Sequence, residues 1–156
     1  ALNFPVTGWS RSQKSVAGVD CLSGEDGLNK ALARAGILVL LMPLTPDTDG
    51  LMNAARLAML PRGAVIINPG RGGLIDDAAL LAALASGQVG HATLDVFRTE
   101  PLPKDHPYWT DPRVTVTPHI AADTRVPSAC DALVEDIRRG EAGQPFSHPV
   151  DRARGY

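Results

Sequence analysis

The sequence predicts an open α/β domain, a parallel sheet with flanking helices, and two observations carry that expectation. Short apolar runs at residues 37–42, 65–67, 92–97 and 114–117 alternate with helical patterns at 23–35, 54–60, 77–86 and 126–139. Each run stops at Pro, Gly or polar residues, so that strand, turn and helix follow one another with right-handed crossovers expected. The composition agrees: 156 residues, 44% hydrophobic and 21% charged with a net charge of -2, suit a soluble domain with a proper core. The near-neutral charge, the absence of a Lys/Arg run and the sparse aromatics exclude nucleic acid as the expected partner. No run is long enough to span a bilayer and the start lacks the form of a signal peptide, so a cytoplasmic protein with no membrane partner is expected. Cys21 and Cys130 stand far apart without a Cys-x-x-Cys or His/Cys cluster, which fits free thiols in a reducing compartment and no metal site.

Residues 4–9 (FPVTGW) read as a short strand, and because it starts almost at residue 1 the chain opens in mid-architecture. Trp9 is followed by Ser10-Arg11-Ser12. In a dinucleotide-binding sheet the carboxyl end of the second strand meets the adenosine ribose. An acid there accepts from the 2′-hydroxyl of NAD, whereas a guanidinium with two hydroxyls suits the extra phosphate of NADP. A plain polar turn is the alternative. Leu28, Leu32 and Ala35 at helical spacing, with acids near the start, give the helix at 23–35. The run 37–42 is continuously apolar, as in a strand covered on both faces. Pro43 and Pro46 stop it and leave Leu44 and Thr45 on a rigid loop at the ligand-facing edge. The helix at 54–60 closes at Pro61-Arg62-Gly63.

The centre of the chain is VIINPGRGGLIDD, residues 65–77. A buried strand runs into a turn kept tight by Pro69, Gly70, Gly72 and Gly73, after which Asp76-Asp77 opens a helix that stops at Gly87. Arg71 is thereby held at the carboxyl end of a strand, where ligands of open α/β sheets bind. Its planar fork can grip a carboxylate or polarise a carbonyl there, a solvated loop tip being the alternative. The strand at 92–97 carries Asp95 near its end, with Glu100 and Pro101 beyond. A polar, Pro-rich stretch with Tyr108 and Trp109 leads to the strand at 114–117, which delivers Pro118-His119-Ile120-Ala121-Ala122. A last helix and the tail VDRARGY follow. Arg71, Glu100 and His119 thus come after different strands and can converge at one edge. A carboxylate beside His119 would fix its tautomer and raise its pKa, readying the imidazolium to protonate a carbonyl oxygen as hydride reaches the carbon. There is no Gly-x-Gly-x-x-Gly, and Gly70-Arg71-Gly72-Gly73 is not a phosphate loop.

The runs NPGRGGLIDDAALLAAL, LDVFRTEPLP and VTVTPHIAA, preceded by LLMPLTPDTDGLMN, resemble the D-isomer-specific 2-hydroxyacid dehydrogenases over nearly the whole chain. DHPYWTDPRVTVTPHIAADT and the ending VDRARGY resemble their glyoxylate/hydroxypyruvate reductase A branch. The resemblance implies a Rossmann-like cofactor domain in which Arg71 binds substrate carboxylate and carbonyl, His119 is the acid/base and Glu100 orients and charges the imidazole. Asp95 would meet the nicotinamide carboxamide, with Pro69, Gly70, Arg71, His119 and Ala121 also on the cofactor. Arg11 and Ser12, with Trp9 and Ser10, would take the adenosine end. NADP (NADPH) is then preferred, with NAD possible if Arg11 is merely in a turn. Pro43, Leu44 and Thr45 would line the adenine and ribose side. Trp109 would border the pocket of a small 2-oxo acid, with loop packing as the alternative.

Members of that family are about twice this length. An amino-terminal substrate domain and the first strand-turn-helix, with the glycine fingerprint, come before the point where this sequence opens, and Ala1-Leu2 would end that first helix. The expected organisation is an incomplete dinucleotide-binding domain at 1–122. A carboxyl-terminal helix and tail at 123–156 would return to the absent substrate domain. The chain is therefore expected to be a fragment, whether by expression boundary, proteolysis or gene truncation, that binds cofactor weakly and turns over little. The family commonly pairs into homodimers. The rival reading, of a different class, is a non-catalytic nucleotide-sensing or scaffold module.

Overall fold

The computed structural model describes residues 4–122, 124–147 and 149–152. The expected helix end at Ala1-Leu2 and the close of the tail beyond Arg152 lie outside the described residues. The chain divides into two compact units, Ala1–Pro118 and His119–Tyr156.

The first unit holds two parallel sheets. Strand β1 (Val6–Ser10) pairs with β2 (Val19–Ser23), in register Val6 to Val19. Helix α1 (Gly24–Arg34) follows directly and buries Leu28 and Leu32. The second sheet has the order β3 (Ile37–Val39), β4 (Ala64–Asn68), β5 (Val89–Leu94) and β6 (Val114–Val116). Helix α2 (Ala54–Ala58) starts at Asn53, whose side chain accepts from the Arg56 amide. Helix α3 (Asp77–Ser86) starts at Asp76, whose carboxylate accepts from the Ala79 amide, and ends at Gly87 in the left-handed region at φ 72°. Those caps satisfy amides that the first helical turn leaves orphaned, and the glycine stop is the one read from the sequence.

Along β4 burial alternates: Ala64, Ile66 and Asn68 are buried while Val65 and Ile67 are half-buried. Side chains alternate across a strand, so the buried set shares one face with Leu40, Ala92 and Leu94. Leu57 of α2 and Leu80 and Leu84 of α3 join them in one apolar cluster with Met52, Leu74, Ile75 and Tyr108. The other face runs from Ile37 and Val39 through Val65 and Ile67 to His91, Thr93 and Thr115.

Three expectations need correction. A strand at 19–23 was not anticipated: its pattern of Val19 and Cys21 around Asp20 is too weakly apolar to announce itself, and β1 supplies the pairing that makes it a strand. It lies with β1 outside the four-stranded parallel sheet. The run 37–42 is not covered on both faces: Leu40 is 2% exposed, but Ile37, Val39 and Leu41 are 53%, 46% and 75% exposed. Pairing at 89–91 extends β5 backward, and regular pairing stops at Leu94 rather than Phe97. Gly90 permits this, because a Cβ there would stand 2.7 Å from the Gly63 carbonyl oxygen. Residues 11–18 join β1 to β2 without a helix, and the expected polar, Pro-rich connection from β5 to β6 holds the 3-10 turn Pro107–Trp109.

The second unit contains α4 (Val126–Glu141), which buries none of its residues and exposes Val126, Leu133, Val134 and Ile137. The following segment folds back on it: Arg139 Nε donates to the Pro145 carbonyl at 2.8 Å and the Ser147 amide to Asp136 at 2.8 Å. Among the described residues no helix is long and apolar enough to cross a membrane, and no group of three or more His, Cys, Asp or Glu side chains is placed to hold a metal.

Candidate active site

Parallel pairing sends the carboxyl ends of β3, β4, β5 and β6 to one edge, with Asn68 opposite Leu94 and Leu94 opposite Val116. The turn after β4 is built by Asn68, which is 1% exposed. Its carbonyl-type oxygen accepts from the Gly70 amide at 3.1 Å, and its amide nitrogen donates to the Arg71 carbonyl at 3.0 Å. Gly70 is required by the approach of β3, since a Cβ there would lie 2.8 Å from the Leu40 carbonyl oxygen. Arg71 is exposed, and its guanidinium donates to the neighbouring Gly70 carbonyl, at 2.7 Å. The 3-10 turn Gly72–Leu74 then leads into Asp76 and α3.

The loop after β5 lies directly against this turn. A Cβ on Gly72 would stand 1.9 Å from the Phe97 carbonyl carbon, so only glycine lets the two backbones touch. The Phe97 amide donates to Glu100 Oε1 at 2.9 Å, fixing that carboxylate beside the same junction. The structure thus brings the Arg71 turn and the Glu100 loop together. Asp95, 4% exposed, begins that loop; its carboxylate accepts from the Thr117 hydroxyl, and its amide donates to the Asn68 carbonyl. The ends of β4, β5 and β6 are therefore tied side by side. His119, two residues beyond Thr117, opens the second unit; it is exposed and has φ 56°. Ala121 lies with it in that unit, also exposed.

At the end of β1, Trp9 donates its indole N–H to the Gly24 carbonyl at 2.8 Å and packs on the core, so the ring braces α1. Ser10 Oγ donates to the Ser12 carbonyl, and Arg11 and Ser12 are exposed. Pro43 and Thr45 frame a turn closed by Thr48, whose hydroxyl accepts from the Thr45 amide at 2.8 Å and donates to the Pro43 carbonyl at 2.8 Å. Leu44 leans on the Arg71 turn: a Cβ on Gly73 would meet its methyls at 2.8 Å. Pro69 stands between Asn68 and Gly70 within that turn. Trp109 is 52% exposed and donates its indole N–H to the Pro103 carbonyl within its own loop. Tyr108 beside it is buried and donates to Asp77 Oδ1 at 2.9 Å; burial first, then the Asp77 charge and this hydrogen bond, push its phenol far above the usual range.

The description "D-isomer specific 2-hydroxyacid dehydrogenase, NAD binding domain" matches residues 1–121 as a family model. The chain belongs to the D-isomer specific 2-hydroxyacid dehydrogenases. Glyoxylate/hydroxypyruvate reductase A of Salmonella newport is 46% identical over all 156 residues, which cover 50% of that relative. The chain spans about half the length of the curated relatives it matches. Among solved structures, a D-isomer specific 2-hydroxyacid dehydrogenase from Xanthobacter autotrophicus Py2, in complex with NADPH and MES, superposes with a TM-score of 0.95. It is 52% identical, over 98% of this chain and 63% of that one. The NADPH-dependent glyoxylate/hydroxypyruvate reductase of Sinorhizobium meliloti, in complex with NADP and sulfate, gives a TM-score of 0.93 at 44% identity, over 99% of this chain and 50% of that one.

Within this 2-hydroxyacid dehydrogenase chain, sequence reasoning located the Arg71 turn and the Glu100 loop. It missed Asn68 and Thr117, the polar groups that tie the strand ends. Their signal was available: each is a polar residue closing an otherwise apolar or β-branched strand.

Proposed function

We propose that this chain carries the cofactor-binding and catalytic part of an NADPH-dependent reductase of 2-oxo acids of the glyoxylate and hydroxypyruvate kind. The single observation that supports it best is the contact between the Arg71 turn and the Glu100 loop at the carboxyl edge of the sheet, in a chain of this family. In this reading Arg71 holds the substrate carboxylate with its fork and polarises the keto oxygen. His119 carries the proton to that oxygen, and Glu100 fixes its tautomer. The left-handed backbone of His119, uncommon for a side-chain-bearing residue, is the kind of local strain that accompanies a functional position. Trp109 borders the substrate.

The residues fit the cofactor. Arg11 and Ser12 stand exposed at the carboxyl end of β1, with Ser10 and Trp9 behind them, as an adenosine 2′-phosphate requires. Pro43, Leu44 and Thr45 serve the adenosine side, and Pro69, Gly70, Asp95 and Ala121 the nicotinamide side. Bound NADPH supplies the hydride. The common dinucleotide-binding strand order is 3-2-1-4-5-6. Here β2-β1 and β3-β4-β5 match its two flanks, leaving strand 1 and its phosphate-holding turn without a counterpart among the described residues. We therefore read residues 1–122 as an incomplete cofactor domain, and α4 with its exposed apolar side chains as a helix that returns to a substrate domain.

The product of the complete reading frame, assayed with glyoxylate and NADPH, tests this. His119→Gln should lower kcat by roughly a hundred- to ten-thousandfold while leaving NADPH binding intact. Wild-type turnover in that variant rejects the mechanism, and full activity from these 156 residues alone rejects the fragment reading.

A further inference from the structure

Arg98 is used by none of the roles above, yet its side chain makes three polar contacts at the edge where those roles are assigned. Its Nε donates to the Ile75 carbonyl at 3.0 Å and its Nη2 to the Gly73 carbonyl at 2.9 Å, while Nη1 pairs with Asp49 Oδ1 at 3.1 Å. The backbone of Arg98 belongs to the loop after β5, between Phe97, whose amide holds Glu100, and Glu100 itself. Its side chain therefore reaches out of the Glu100 loop, takes two carbonyls of the segment after Arg71, and ends on the loop after β3. Gly73 O also accepts from the Gly50 amide at 2.7 Å, and Met52 pairs with Ile75, so all three loops meet at the same carbonyls. A guanidinium can do this where an ammonium cannot, because its N–H groups diverge in a fixed plane and satisfy several acceptors at once.

We propose that Arg98 is a positioning residue for 2-oxo acid reduction, setting the Arg71 turn at its working distance from Glu100. The inference rests on the roles assigned to Arg71 and Glu100 under the proposed function. The Gly72–Phe97 contact keeps the turn and the loop from moving closer. Van der Waals contact resists approach and does little against separation or sliding, and the two carbonyl bonds of Arg98 supply the restraint in those directions. Asp49 neutralises the guanidinium on its exposed side and contributes little holding force of its own.

The test uses the complete reading-frame product, with glyoxylate and NADPH, four single variants and one double variant. Arg98→Met keeps the aliphatic stem; it should lower kcat/KM for glyoxylate by roughly ten- to a hundredfold, through a loop displaced by an ångström or less, with any rise in KM for NADPH smaller than that loss. Arg98→Lys, which can keep the Asp49 pair but not both carbonyl bonds, should recover only part of the loss. Asp49→Asn should stay near wild type. The decisive measurement is the cycle with Arg71→Lys: if Arg98 acts through the Arg71 turn, the double variant loses less than the product of the two single losses. Losses that multiply, or an Arg98→Met enzyme with wild-type kcat/KM, overturn the inference while leaving the reductase reading intact. Arg71→Lys with wild-type kcat/KM overturns the reductase reading itself, and this inference with it. A fall in thermal stability in Arg98→Met with glyoxylate kinetics unaltered assigns Arg98 a purely structural role and likewise overturns it.

Discussion

Replacing Gly72 by alanine probes the junction on which the candidate site depends. The added Cβ would stand 1.9 Å from the Phe97 carbonyl carbon, 2.2 Å from its oxygen and 2.4 Å from its Cα, all backbone atoms that no rotamer change can move aside. Carbon atoms in contact settle at about 3.5–4.0 Å, so the turn and the loop must part by roughly 1.5–2 Å. Overpacking of this kind costs about 1–3 kcal/mol when side chains can yield, and backbone against backbone places this site at the upper end. The displaced loop carries Glu100 through its bond to the Phe97 amide, and a 1 Å error in a catalytic arrangement costs about a hundredfold in rate. The assay pairs urea unfolding midpoints with glyoxylate kinetics on the complete reading-frame product. Gly36→Ala is the control: no heavy atom lies within 4 Å of its added Cβ and its φ is not positive, so stability should hold or rise by about 0.4–1 kcal/mol. A Gly72→Ala protein that unfolds at the wild-type midpoint and reduces glyoxylate at the wild-type rate would refute the argument, because the two backbones would then have room that the geometry denies.

Tyr108→Phe should cost about 1.5 kcal/mol, the low end for a hydrogen bond to a charged group, since Asp77 can rehydrate. The folded phenol is harder to ionise than the unfolded one, so its contribution is complete below the ordinary value of 10.0 and drains as pH rises beyond it; the variant should lack that alkaline loss in a stability–pH series. Asp111 is held down to about 2, first by its side-chain hydrogen bond from Arg113 and then by the Arg113 amide. A depressed carboxylate stabilises above its unfolded value of 3.8 and loses that stabilisation as pH falls toward 2, so Asp111→Asn should flatten the acid limb of the stability curve. Arg11→Asp should turn cofactor preference from NADPH toward NADH in paired KM measurements; an unchanged preference removes Arg11 from the cofactor site.

What the sequence disclosed of the site followed from chemistry that local spacing encodes. Pro69, Gly70, Gly72 and Gly73 around a single Arg leave few backbone paths, and the structure realises a turn in which a Cβ added to any of the three glycines would stand under 3.0 Å from a neighbouring atom. What it hid was pairwise. That Gly72 abuts Phe97, or that Arg98 reaches back to Gly73 and Ile75, depends on how two loops distant in sequence pack, and neither loop carries a periodic signal of its partner. Arg98 in particular reads as one more surface cation until its acceptors are known.

The fold was legible wherever one element supplied its own evidence, as with the Asp76 cap and the Gly87 stop of α3. It failed at β2, whose identity as a strand comes from β1, and at β3, where the error is more instructive. Ile37, Val39 and Leu41 make the run 37–42 read as doubly buried, and the composition is correct for such a strand. Only the face of Leu40 is buried here. Apolar residues at alternate positions cost little to place in a strand but gain nothing until something covers them, so composition reports the environment a strand is suited to, not the one it has. On the proposed fragment reading the two agree again. In the product of the complete reading frame, Ile37 and Val39 should be shielded from solvent, and deuterium uptake across residues 37–41 should fall well below that of the 156-residue chain. Equal uptake in the two would mean that β3 is an edge with a bare face in its own right, and that its composition has some other cause.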